Sequence, residues 1–468
     1  MNPFPFIAGQ PDGDFPINLF YQKEYWNGRD ALIGTPGLTQ KIDFGYGEVR
    51  GMLRDNYNGT EYLYVVMKNK VFRINTDWTY TQITGALDTT EGIVTMAAGG
   101  GYVVIVDGTK LYSISGTVLT EQSVGGGDCT PQTVDYLDTY FMVSDLNTQR
   151  FYISDNDNPT SWPALDYASK ETHADNIKAV RVNFNDLFLF GEKTSEVWFN
   201  AGATSKDFPF NQSGNGVMQK GLGAVHSMAE MDNSIFWLAD DWMVYRLNGY
   251  QPGVISTPTI NQQIAAMTAK EQALAFAFVM TGNAFYVITF PEDHTTFVYN
   301  AATGLWHQWA EWIPASNTYT RHRANCHAEF NGAQVVGDYE NGCIYALDMD
   351  AYTDNGAVIR RERTAPILTG DRTHFFMHRM EIEFKAGTGL KETQHGDTPQ
   401  AMMQYSDDGG RTYSSELWQG IGKTGAYQDR AIWRRLGRSL TRKIRVAVSD
   451  PVEVCIVGAY IDMGKGAH

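Results

Sequence analysis

Several groups of side chains in this sequence stand at spacings that chemistry could use. His322, Cys326 and His327 form H-x3-C-H, and His374 and His378 are four apart. Positions four apart share a strand face, so both pairs could approach a metal ion. Neither set is complete. The second pair lacks the Glu of H-E-x-x-H, and no C-x-x-C accompanies the first. These read as packed or surface histidines, and no metal or other cofactor is expected. Asp155-Asn156-Asp157-Asn158 opens like a calcium loop, but Pro159 and Thr160 stand where the fifth ligand and the sixth-position glycine are needed. It reads as a turn.

Ser406-Asp407-Asp408-Gly409-Gly410-Arg411-Thr412-Tyr413 resembles the Asp-box of sialidases and other propellers, S-x-D-x-G-x-T-[WY]. Its physics is that of a hairpin: Asp408 accepts backbone N–H groups and the glycines supply positive φ. One copy carries little weight for glycosidase chemistry. The glycine triplets 99–101 and 125–127 lack the trailing Gly-Lys-Ser/Thr of a phosphate loop and read as turns between repeats. There is no G-x-S-x-G elbow, and no carboxylate pair is singled out as acid and base. No catalytic residue is predicted.

The strongest charge feature is a basic run: Arg430, Arg434, Arg435, Arg438, Arg442 and Lys443, followed by Arg445. It could grip DNA phosphates or an acidic protein partner. The plainer reading is a solvated strand edge. Docking residues are assigned to the first six.

Something must position these groups, and composition says what. Hydrophobic residues are 43% of the 468, aromatics 13%, charged residues 19%, and there are 46 glycines. That mixture favours short strands and tight turns, supplies a sizeable core and excludes a disordered chain. The net charge of −16 argues against a generic nucleic-acid coat. It is uneven: residues 360–445 hold 16 Lys/Arg against 10 Asp/Glu, so the remainder carries −22. Four scattered cysteines suit a reducing compartment. The first twenty residues lack the pattern of a secretory signal, and Ala273–Met280, the longest apolar stretch, is too short to span a bilayer. No membrane association is expected.

The organising pattern is a repeat of strand, polar turn, strand. Copies begin at Tyr62, Tyr102, Tyr140, Leu187, Ile235, Phe285 and Gln334, spaced by 40, 38, 47, 48, 50 and 49 residues. That is the period of a β-propeller blade. A pair of antiparallel sandwiches is the alternative. Pro258–Met280 breaks the pattern: Thr268-Ala269-Lys270-Glu271 has capping-box spacing, and Ala273, Leu274, Ala277 and Phe278 follow at helical spacing. A helical insertion is expected there, serving packing or subunit contact. Beyond about residue 355 the period stops, and the remaining strands form a separate domain. The predicted fold is all-β: an N-terminal arm over 1–40, a propeller of about seven blades over 41–355 with a short helical insertion, and a C-terminal β-sandwich-like domain over 356–468.

Several stretches, in order, resemble one family. Pro36-Gly37-Leu38-Thr39-Gln40 is similar to an early segment. Ser154 to Trp162, ending in Pro159-Thr160-Ser161-Trp162, is similar to a recurrent blade loop. Ser195-Glu196-Val197-Trp198-Phe199 with Gly202-Ala203-Thr204, then Val217-Met218-Gln219-Lys220-Gly221-Leu222-Gly223, resembles a central signature. Trp433-Arg434-Arg435-Leu436-Gly437-Arg438, Arg445-Val446 and Ser449-Asp450-Pro451-Val452 resemble a C-terminal block. The family is that of the packaged-DNA stabilisation, or tail hub (tail accessory factor), proteins of short-tailed podovirus phages.

The resemblance implies a structural virion protein and no enzyme. By it, six copies form a ring below the portal and its adaptor, accept a tail needle and seat tailspikes or receptor-binding proteins. Genomic DNA would pass the ring without sequence-specific binding and be retained in the capsid. The chain would be assembled in the host cytoplasm and reside in the virion tail. An acidic conduit wall would let DNA slide. The competing function is a propeller-type carbohydrate-binding protein or glycosidase, suggested by the Asp-box-like hairpin and the aromatics.

Overall fold

A computed structural model describes residues 2–7, 14–57, 59–202, 208–370, 373–385, 387, 390 and 398–465. Ala203 and Thr204 of the central signature lie outside them. The chain divides into two compact units, one of 40–294 and 323–346, the other of 1–39, 295–322 and 347–468.

The first of these is a ring of blades. Each copy of the sequence repeat begins on the second strand of a blade: Thr60–Met67, Tyr102–Val106, Tyr140–Asp145, Asp186–Gly191, Ser234–Leu238, Asn283–Phe290 and Ala333–Asp338. These strands are apolar on both faces because each blade is sandwiched between two others, so they read as near-continuous hydrophobic runs. Each pairs antiparallel with a preceding inner strand: Val49–Tyr57, Thr95–Gly99, Pro131–Leu137, Ile177–Asn183, Ala229–Met231, Leu274–Met280 and Ala324–Phe330. Seven inner strands make seven blades. Five of the sheets are complete four-stranded meanders among the described residues.

Apolar side chains interdigitate between neighbouring blades. Tyr64, Val66 and Val71 meet Val103, Ile105 and Tyr112, and similar clusters join the next blades. The ring closes where Met52, Val65 and Phe72 of the first blade pack with Phe330, Val335 and Ile344 of the last. There Asn325 Nδ2 donates to the Val49 carbonyl at 3.0 Å, and Trp78 meets Phe330 edge-on with centroids 5.4 Å apart. Each such large side chain is worth about 1.5–3 kcal/mol of burial, and closure leaves neither end blade with a bare face.

Three local expectations need correction. The helix spans Pro258–Ala266, and its cap is Thr257, whose side chain accepts from Ile260 N with proline at the first turn. Thr268-Ala269-Lys270-Glu271 is not a capping box: Thr268 N is held by Asp293, and Lys270–Gln272 is one 3-10 turn. Leu274–Met280 is the inner strand of the sixth blade, with alternating burial over its first five residues. Apolar residues at 273, 274, 277 and 278 fit both periods over so short a window, and pairing to Asn283–Phe290 decides it. Glycines 100 and 101, both at positive φ, turn between two strands of one blade, whereas 125–127 do link one sheet to the next.

The other unit is a β-sandwich. One sheet holds Leu19–Trp26, Arg29–Gly34, Cys455–Lys465, Phe375–Phe384 and Ala431–Ser439 in that spatial order; the other is built on Arg361–Thr364, Thr441–Val448, Gln400–Ser406 and Leu417–Gly420. Met380, Ile382, Met403, Trp433, Ile444 and Val446 fill the space between them. N-terminal strands are thus built into the C-terminal sheet, with Leu32 opposite Ile456. In this unit the strands Thr295–Asn300, Leu305–Ile313 and Thr318–Arg321 are fastened by Asn18, whose Nδ2 donates to the carbonyls of Ala310 and Arg360 at 2.8 and 3.0 Å.

Candidate functional site

The basic run splits in two. Ala431–Ser439 is an edge strand of its sheet. Alternation alone would send Arg434 and Arg435 to opposite faces. Arg435 instead sits at φ 60° beside a register shift, and Arg434, Arg435 and Arg438 are all exposed. Arg438 lies across from Phe376, itself 40% exposed, which gives the strip an apolar component. Arg430 is half-exposed and donates to Glu381 Oε1 at 2.5 Å, a contact that raises its pKa further.

Arg442 and Lys443 are internal. The Arg442 guanidinium is bound by both oxygens of Asp407 and lies over the Tyr405 ring, 4.3 Å from its centroid. Lys443 pairs with Asp14. Both side chains are thereby occupied within the fold, and Arg434, Arg435 and Arg438 are the members open to a partner.

The other candidate was missed in the sequence. Inner strands of all seven blades line a cavity of about 330 Å3 along the ring's centre. Three ionisable groups meet at its wall. Arg181 Nε donates to Glu230 Oε1 at 2.5 Å and stands 3.9 Å from Asp135 Oδ2, which also accepts Val182 N at 2.8 Å. Arg181 therefore ties the third, fourth and fifth inner strands together. Burial raises the pKa of both carboxyls, and the nearby guanidinium works against that rise. His226 and His327 also line the cavity, and burial pushes both down to about 4, so they are neutral at pH 7.

Arg50 plugs the wall beside them. It is fully buried and donates to the carbonyls of Lys68, Thr89, Glu91 and Gly92 and to Thr89 Oγ1. Inner strands such as Thr95–Gly99 and Ala229–Met231 are short and carry no apolar run that would mark them in the sequence.

The remaining sequence candidates fall into structural places. His327 stacks on Phe276 and bonds Gln334 at 2.7 Å, while His322 packs on Trp309. His378 stacks on Phe376. Among the described residues, no group of three or more His, Cys, Asp and Glu is gathered as a metal site, and all four cysteines are free thiols. Asp155 and Asn158 close a turn with Asn158 N on the Asp155 carbonyl. Asp408 closes the expected hairpin, accepting from Ser406 Oγ, Arg411 N, Thr412 N and Thr412 Oγ1. These bonds hold its carboxyl far below the usual range. No helix among the described residues is long and apolar enough to cross a membrane.

A seven-bladed β-propeller followed by a β-sandwich is the class of protein that these features define. Residues 5–352 match the family described as Bacteriophage P22 Gp10, beta-propeller, and residues 360–464 match that described as Bacteriophage P22 Gp10, beta-sandwich. The chain belongs to this P22 Gp10 family of phage tail hub and DNA-stabilisation proteins. It is a structural protein of the phage virion, and its family assembles with other virion components. No curated protein matches it. Among solved structures it is similar to virginiamycin B lyase from Staphylococcus aureus, at 10% identity and a TM-score of 0.45 over 66% of this chain and 98% of that one. BamB from Moraxella catarrhalis is similar at 9% identity and a TM-score of 0.37, over 68% and 91%. Likenesses this distant carry nothing about activity.

Proposed function

We propose that this chain is the tail hub of a short-tailed phage: a ring, six copies by family likeness, that joins the portal and its adaptor to the tail needle and tailspikes and retains the packaged genome. The observation that carries the reading is the match of both parts of the chain, in order, to one family. The role is mechanical, a matter of multivalent docking and sealing, with no catalytic step.

Charge supports it. The blade unit holds 17 Lys/Arg against 32 Asp/Glu, a net −15 of the chain's −16. Such a surface repels DNA and lets it slide. The path for DNA belongs to the assembled ring, because a 330 Å3 cavity cannot admit a duplex whose major groove alone is about 12 Å wide. Arg434, Arg435 and Arg438 supply docking contacts to an acidic partner surface. Arginine suits this role because its fork meets carboxylates two bonds at a time.

The test is native mass spectrometry of the purified chain mixed with the portal–adaptor assembly of its own phage. One closed oligomer bound to that assembly is expected. A monomer that ignores it, or that cleaves glycans, contradicts the reading.

A further inference from the structure

A second pocket lies wholly within the sandwich unit. Gly34, Thr35, Tyr352, Arg361, Lys385 and Glu453 are among the residues around a cavity of about 260 Å3. Arg361 is its anomalous member. The residue is 2% exposed, yet Nε and Nη1 of its guanidinium have no hydrogen-bond partner. A buried donor left unsatisfied is costly, and a buried charge more so, which is why such groups in folded proteins nearly always have acceptors.

The neighbouring carboxylates do not fill the need. Glu453 is held by Lys385 Nζ at 2.7 Å and by the Tyr25 hydroxyl at 3.5 Å. Asp350 is exposed. Asp354 acts on Arg361 through its charge and leaves Nε and Nη1 unbonded. Burial still pulls the Arg361 pKa down to about 10, so these charges do not offset its lost hydration. The backbone is shaped around the group: a methyl at Gly34 would lie 2.6 Å from Arg361 Nε. The space is many times the ~30 Å3 of one water molecule and close to the low end of small-ligand pockets.

We propose that this cavity binds a carboxylate, with the under-satisfied guanidinium of Arg361 as its first cation and Lys385 as the second. A singly charged anion is tolerated beside Glu453 and Asp350 where a phosphate dianion would be repelled. The carboxylate can come from a small free acid or from the C-terminus of a peptide. This inference does not depend on the hub reading.

The test is calorimetric titration of the full chain at pH 7 with sodium acetate, with the tripeptide acetyl-Gly-Gly-Phe bearing a free C-terminus, and with its C-terminal amide. A carboxylate probe binds and the amide does not. Acetate binding as tightly as the peptide acid makes the ligand a small acid; peptide acid binding about tenfold more tightly makes it a chain terminus.

R361M weakens binding at least about tenfold. Its thermal midpoint is unchanged or raised, because an uncompensated buried charge has been removed. G34A, which keeps the guanidinium but displaces it, also weakens binding. Failure of both carboxylate probes to bind the unaltered chain overturns the proposal. So does equal binding by the amide, or binding that survives R361M.

Discussion

Arg442 holds Asp407 through two parallel bonds, Nε to Oδ1 and Nη2 to Oδ2, each 2.7 Å long. Arg442 is 2% exposed and Asp407 is its neighbour across the Asp-box-like hairpin. The pair turns what reads in sequence as a docking arginine into a strut of the sandwich. Removing one side of such a pair strands the other. R442A is therefore expected to cost about 2–4 kcal/mol in denaturant unfolding of the purified chain. A loss below about 0.5 kcal/mol would place Arg442 with the surface residues.

The exposed members of the same run should behave in the opposite way. The triple variant R434E, R435E and R438E touches an edge strand at positions with no internal role in the core. Its thermal midpoint should shift by no more than about 4 °C, while its incorporation into tails, read by immunoblot of purified particles, falls sharply. Normal incorporation would show that this strip only protects the sheet edge, which charged side chains also do.

Acid distinguishes the hairpin carboxylate. The pKa of Asp408 is depressed in the folded state, so its contribution is full above the unfolded value of about 3.9 and is lost as pH falls below it. D408N should thus lower the thermal midpoint relative to the unaltered chain at pH 7, and the gap should narrow on titration to pH 2. A gap that does not change with pH would mean that the carboxylate's charge contributes nothing to the turn.

The channel triad gives the reverse sign. The pKa values of Asp135 and Glu230 are raised by burial, so protons favour the folded state as pH falls through those values. R181M removes the cation that restrains the rise. Its stability deficit at pH 7.5 should shrink by pH 5 in paired unfolding measurements. A deficit that is constant or larger at pH 5 would contradict the charge assignment.

Much of this fold is readable in the sequence because the second strand of every blade is buried on both faces and announces itself as an apolar run, from Tyr62 to Gln334. The inner strands are not. Thr95–Gly99 and Ala229–Met231 are short and face a polar channel, so neither length nor periodicity marks them, and with them Arg181, Glu230 and Asp135 go unseen. Leu274–Met280 is visible but ambiguous, since alternation and helical spacing coincide over so few residues. The basic run shows where charge gathers but not which side chains turn inward. That depends on the φ of Arg435 and on Asp407 and Asp14, both fixed by tertiary pairing. Arg361 carries no local signal at all; its unpaired state emerges from burial.

The central claim is that the chain seals the genome within the particle. The direct measurement is the fraction of DNA-filled heads, counted by electron cryomicroscopy after purification, in particles assembled without this chain and again after the purified chain is added. The account predicts heads that package and then empty without it, and that stay full when it is supplied before the DNA leaks. Heads that remain stably full in its absence would contradict the account.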